Sequence, residues 1–184
     1  MRNVTFSRKY PSYHPKKGQP TFFVEKIWKS MGGIDHFSEI GYYQFSKYLG
    51  YNPDSNDLIN KVNNSDPKYH TIRKGRRWKV GDWFQPVFWG DDINPKSGRS
   101  GPYHSKQIGF SPPIQVKYVW DFEIKDTIIH LTGSVVHVDG YSYDHTLNEI
   151  AKNDGLSTDD LLHWLKFPND FDGQIICWSE NINY

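Results

Sequence analysis

The chain has 184 residues, 36% of them hydrophobic and 16% aromatic, and a formal charge of +1. This length suits a single domain with a real core rich in Phe, Tyr and Trp, and the near-neutral charge means that any nucleic-acid binding must come from a local patch. Cys177 is the only cysteine, which rules out an intrachain disulfide; no apolar run approaches membrane-spanning length; and the N-terminus lacks a signal peptide's apolar core, so a cytoplasmic protein with no membrane association is expected.

Residues 3–8 read as a short strand. Residues 11–20, with Pro11, Pro15, Gly18 and Pro20, read as a loop. Thr21 is placed to cap a helix through Met31, with Phe23, Ile27 and Met31 four apart and Gly32-Gly33 ending it. A second helix is expected from Asp35, carrying Phe37, Ile40, Phe45 and Tyr48, with Gly50 as its stop. Leu58, Ile59 and Val62 suggest a short third. From Thr71 the pattern changes. Residues 78–89 and 105–138 are rich in Val, Ile and aromatics and are broken by Gly, Pro and Asp, as strands are. Residues 90–104 form a long polar loop, a candidate binding loop. Asp126, Gly133 and Asp139-Gly140 read as turns. Asp144 is read as the cap of a helix that stops at Gly155. Ser157 with Asp160 resembles a capping box for the next, ended by Pro168, and residues 173–178 make a last buried strand. This order predicts an α+β fold: a small mixed or antiparallel β-barrel with flanking helices.

One segment carries most of the chemistry. Asp66 to Asp82 holds a lysine three residues before a threonine, then a basic turn, then Val80-Gly81-Asp82. A neutral Lys68 amine could take the proton of the Thr71 hydroxyl, if burial or nearby cations lower the lysine pKa. On a regular strand these two residues face opposite ways, so their convergence requires a turn before a strand that begins at Ile72. Arg73, Lys74, Arg76, Arg77 and Lys79 make a phosphate-contacting patch, with Trp78 or Trp83 to stack a base and Lys96, Arg99 and Lys106 to extend it. The plainer readings are a solvated turn residue for Lys68, an ordinary strand-edge threonine for Thr71, Asp154-Gly155 as a helix stop, and a solvated hairpin tip for the basic run.

Lys68-Tyr69-His70-Thr71-Ile72-Arg73, followed by Trp78-Lys79-Val80-Gly81-Asp82, resembles the opening motif of ASCH domains, small β-barrels of the PUA-like superfamily. The runs Glu149–Ser157, Leu161–Trp164 and Gly173–Trp178 are similar to that family's helical and closing-strand segments. The resemblance covers residues 66–178, with Val4–Arg8 as the first strand. It makes residues 11–65 a helical insertion, or an elaboration private to a subgroup, within a single domain spanning 1–184. It implies binding of RNA or a modified nucleoside in a barrel-side pocket. In some bacterial relatives it also implies hydrolysis of the acetyl amide of N4-acetylcytidine, with Lys68 as base, Thr71 as nucleophile and Asp154 as acid. Those enzymes usually place glutamate at the third position, and Asp154 is one methylene shorter.

Two further readings stand beside this one. The chain could be a non-catalytic reader of RNA or of a modified base. It could instead be a protein–protein adaptor, even a phage-encoded one, working through the aromatic-rich residues 21–62. That aromatic set (Phe22, Phe23, Trp28, Phe37, Tyr42, Tyr43, Phe45, Tyr48) is most simply core. His130, His137, Asp139, Asp144 and His145 fit no tight metal-ligand spacing, so neither a metal nor another cofactor is expected.

Overall fold

The computed structural model describes residues 1–35, 38–131, 134–136, 138–139, 142–143, 145–182 and 184, with residues 134–146 described by backbone alone. In chain order the elements are β1 (Arg2–Thr5), α1 (Phe23–Ser30), α2 (Glu39–Leu49), α3 (Asp57–Asn63), β2 (His70–Lys74), β3 (Trp83–Trp89), β4 (Gln107–Gly109), β5 (Ile114–Gln115), β6 (Tyr118–Lys125), β7 (Ile128–Leu131), β8 (Ser134–Val136), β9 (Val138–Asp139), β10 (Ser142–Tyr143), α4 (His145–Asn153), α5 (Thr158–Leu165) and β11 (Phe171–Cys177). The class is α+β, as expected. The chain divides into two compact units: residues 1–10, 19–66 and 83–114 in the first, and residues 11–18, 67–82 and 115–184 in the second.

In the first unit β1 runs parallel to β3, with Arg2 opposite Phe84 and Thr5 opposite Val87, and β4 lies antiparallel on the other side of β3. Parallel strands need a long crossover, and the connection that includes α1, α2 and α3 supplies it. The face of α1 that carries Phe23, Val24, Ile27 and Trp28 is buried. The Trp28 ring is fully enclosed, and its indole N–H donates to the Phe110 carbonyl at 2.8 Å. Phe110 in turn meets Phe6 and Phe88, each at 5.9 Å between ring centres. Of the early aromatic set, Phe23 and Trp28 are core, Phe22, Tyr42 and Phe45 are half-buried, and Tyr43 and Tyr48 on α2 are exposed, with Ile40 beside them in the sequence of that helix; Phe37 lies outside the described residues.

Two helix starts differ from expectation. Phe22, in a left-handed conformation (φ 55°), takes the cap position of α1. The Thr21 hydroxyl instead donates to the Ser7 carbonyl at 2.6 Å and accepts from Phe23 N–H at 3.3 Å. Helix α2 begins at Glu39 rather than at Asp35, because the Ser38 hydroxyl accepts from Gly41 N–H and closes the first turn there. Gly50 ends α2 with φ 82°, a conformation that favours glycine, and Ser157 caps α5 through Asp160 N–H as expected.

In the second unit the sheet order is β2-β11-β6-β7-β8, antiparallel throughout. Strand β11 lies between β2 and β6, which explains why Gly173 through Cys177 are buried without a break. The β6–β7 hairpin turns on Asp126 and Thr127, both with positive φ (50° and 68°), the sign that a tight right-twisting hairpin demands. The turns expected at Gly133 and Gly140, and the cap expected at Asp144, lie outside the described residues.

Gly173 sets how closely β2 approaches β11. A methyl group there would lie 2.2 Å from the Arg73 carbonyl oxygen and 2.6 Å from the Phe171 ring. The first neighbour is backbone and cannot swing aside. Gly173→Ala is expected to cost about 1–3 kcal/mol of stability in urea denaturation. An unchanged midpoint would mean that β2 is not seated against β11 in this register.

Candidate functional site

The sequence motif Lys68-Tyr69-His70 meets the C-terminal end of α4. A helix leaves its last four carbonyls without partners inside the helix. Here three consecutive residues approach that end from the side. The Lys68 ammonium donates to the Asp154 carbonyl, Tyr69 N–H donates to the Asn153 carbonyl at 2.8 Å, and His70 Nε2 lies 3.0 Å from the Ile150 carbonyl. Because a carbonyl can only accept, His70 Nε2 carries the proton in that bond. Lys68 also brings a positive charge to the end of the helix whose dipole favours cations.

The same ammonium pairs with the Asp154 carboxylate at 2.7 Å, and His70 Nδ1 stands 3.6 Å from the same oxygen, beyond hydrogen-bond reach. This cluster is sealed. Lys68 and His70 are 0% exposed and Asp154 5%. Burial pushes the Asp154 carboxyl up from its ordinary range, against the pull of the Lys68 charge and hydrogen bond, the Arg73 guanidinium and Ile72 N–H. The His70 imidazole is held well below its usual value, first by burial and then by the Lys68 ammonium, so it is neutral in the folded chain at neutral pH. Arg73 is half-buried, with its Nε inside, and burial brings its guanidinium down to about 10.

Two of the three residues of the acid–base motif are thus brought together, Lys68 and Asp154. Thr71 is buried beside them in sequence, opposite Ile176 in the sheet. Strand β2 already begins at His70, so the turn expected before Ile72 is absent. Pairing of His70 with Cys177 extends the ladder to that point. The sequence reasoning gave no part to His70. The signal was there: Lys68 and His70 are two apart, the spacing that puts side chains on one face of an extended segment.

The basic turn is rearranged relative to a simple phosphate patch. Trp78 is 4% exposed, so its ring has no free face for a base. Arg76 is bound to Asp172 at 2.9 Å and to Asp121 at 3.2 Å. Arg73 turns its Nε inward. Lys74, Arg77 and Lys79 remain exposed. The side chains of His137, Asp139, Asp144 and His145 lie outside the described residues.

A second feature of this unit was missed. Tyr118, Trp120, Tyr184 and His70 form a chain of neighbouring rings. Tyr118 stacks on Trp120 at 5.5 Å, Trp120 meets Tyr184 edge-on at 5.0 Å, and Tyr184 meets His70 edge-on at 5.7 Å. Tyr118 is 40% exposed. Tyr184 also helps line a cavity of about 210 Å³ with Glu149, Lys152, Asn153, Asn181 and Ile182. The Asn153 amide donates to the Tyr184 hydroxyl at 3.0 Å, and burial raises that hydroxyl's pKa, keeping it protonated. The alternation Tyr118, Trp120, Phe122 along β6 was legible as one strand face; the joining Tyr184 was not.

No family model matches the chain, and no curated protein or solved structure is significantly similar to it. Among the described residues no helix is long and apolar enough to cross a membrane.

Two outcomes are expected from the buried cluster. Lys68→Met leaves a carboxylate buried without its cation and should cost about 3–5 kcal/mol. Adding Asp154→Leu should recover a large part of that loss in a double-mutant denaturation series, and equal losses in the single and double variants would contradict the pairing. The unfolded chain takes up a proton at His70 near its ordinary value of 6.5, while the folded chain resists it. Below that pH the unfolded state binds more protons, so stability falls as pH falls and levels off above it. Thermal unfolding from pH 7 to pH 5 should show this decline, and His70→Gln, which keeps a donor for Ile150, should flatten it. An unaltered pH slope in the variant would contradict the buried neutral ring.

Proposed function

We propose that the chain is a non-catalytic binding module for a modified nucleoside or RNA base, built on a PUA-like barrel of the ASCH type. One observation carries the choice of reader over hydrolase. The Lys68 ammonium, the candidate base, is fully enclosed and engaged by both the carboxylate and the carbonyl of Asp154. A lysine serves as general base only when neutral, and a helix C-terminus plus a carboxylate both favour the charged form. Lys68 acts here as a structural cation that closes α4.

The ligand site in this reading is the cavity walled by Tyr184. It is small for a drug-sized molecule and suits one planar ring. Tyr184 offers an aromatic wall with Trp120 and Tyr118 behind it. Asn153, Asn181, Lys152 and Glu149 supply the donors and acceptors that a base edge requires. The exposed cations Lys74, Arg77 and Lys79 serve phosphate contacts of a longer ligand.

The meeting of Lys68 with Asp154, far apart in the sequence, is what favours the hydrolase as a second reading. One experiment separates the two. Incubation with N4-acetylcytidine is expected to release no cytidine, while calorimetry with the same nucleoside shows binding that Tyr184→Ala or Trp120→Ala weakens by roughly tenfold or more. Cytidine release by the wild type that Thr71→Ala abolishes would overturn the reader in favour of the enzyme. Absence of any nucleoside binding would overturn both.

A further inference from the structure

The long polar loop of the first unit presents an aromatic ring in an unusual way. Tyr103 has φ 65°, a left-handed conformation that a side chain other than glycine rarely adopts, yet its ring is 88% exposed. Burial therefore does not offset the conformational cost. Backbone outliers of this kind concentrate where a side chain must be held in one place for a ligand.

The loop is fastened around this residue. Ser105, buried, accepts from Gly101 N–H at 2.6 Å and donates to the Asp92 carbonyl at 2.8 Å. The Asn94 amide donates to the His104 carbonyl at 3.0 Å, and Asn94 N–H donates to the Arg99 carbonyl at 2.8 Å. Tyr103 also leans on Trp89 of β3, with ring centres 5.5 Å apart and planes at 49°. Trp89 touches the ring at a tilt and leaves most of it open to solvent.

The charges around it are of one dominant sign. Lys96, Arg99 and Lys106 are exposed and, among the described residues, form no ion pair. Of the two carboxylates in the loop, Asp91 is bound by Arg8, which leaves Asp92 against three cations. An open aromatic face amid unpaired cations is the composition that binds single strands, with stacking on the bases and charge on the phosphates.

We infer that the loop of residues 90–106 is a stacking surface for single-stranded nucleic acid, with a base on Tyr103, Trp89 as its support, and Lys96, Arg99 and Lys106 on the backbone phosphates. This inference does not rest on the Tyr184 cavity or on the nucleoside reading. It names a polymeric ligand and uses different residues.

The test is fluorescence anisotropy with a labelled 12-nucleotide poly-uridine strand across a salt series, using the full chain. Tyr103→Ala is expected to weaken binding by tenfold or more, and Tyr103→Phe to retain it. Removing Lys96 and Arg99 together (Lys96→Ala with Arg99→Ala) should reduce the slope of log affinity against log salt by about 0.7 per cation. Calorimetry with N4-acetylcytidine should be unchanged by Tyr103→Ala, so failure here is distinct from failure of the cavity. Binding of the strand that is indifferent to Tyr103→Ala, or no binding at low salt, would overturn the inference.

Discussion

The closure of one helix end by one extended segment organises the second unit. Helix α4 ends with the Asn153 and Asp154 carbonyls open; Tyr69 N–H and the Lys68 ammonium take them, while His70 joins Asp154 N–H on the Ile150 carbonyl. The chain then continues directly into β2, whose partner β11 is the buried strand between β2 and β6. A cation at the helix terminus, a carboxylate beside it and a neutral imidazole form one enclosed polar group. Burying a charge without its partner is strongly unfavourable, so these side chains are mutually dependent. In the proposed reading, a motif that could activate a nucleophile terminates a helix instead.

Enclosure and exposure divide the candidate residues more sharply than charge does. The basic turn looks like one patch in the sequence, but its members have different surroundings. Arg76 is bound by two carboxylates, Arg73 turns inward, and Trp78 belongs to the core. The rings proposed to meet a ligand lie elsewhere, Tyr184 at the cavity and Tyr103 in the loop, and Trp83 at the start of β3 is exposed as well. Tyr184 and Tyr103 each contact a tryptophan, Trp120 and Trp89 respectively. A braced ring loses little conformational entropy on stacking, which favours binding over a free side chain.

What could be read from the sequence follows from which signals are local. Ser157 capping α5, Gly50 stopping α2 and the buried run of β11 are set by neighbours within a few residues, and all three appear where expected. The start of α1 was misplaced because the Thr21 hydroxyl is used by Ser7, fourteen residues away, and no local rule reports that bond. The parallel pairing of β1 with β3 was likewise hidden, since it joins segments about eighty residues apart. At the site, Asp154 was legible as a helix stop, and only the family resemblance set it beside Lys68. Its engagement by Lys68 depends on how β2 meets α4, and a string of residue types does not state that. His70 and Tyr184 were missed for the same reason, because their roles exist only once distant segments are in contact.

The most direct measurement is nitrogen-15 NMR of the Lys68 side chain in selectively labelled protein near neutral pH. A structural cation at a sealed helix end predicts an ammonium resonance whose protons exchange slowly with water, and loss of that signal on Asp154→Asn. A neutral amine, or an ammonium that exchanges as fast as those of the surface lysines, would contradict the account and return Lys68 to the role of a base.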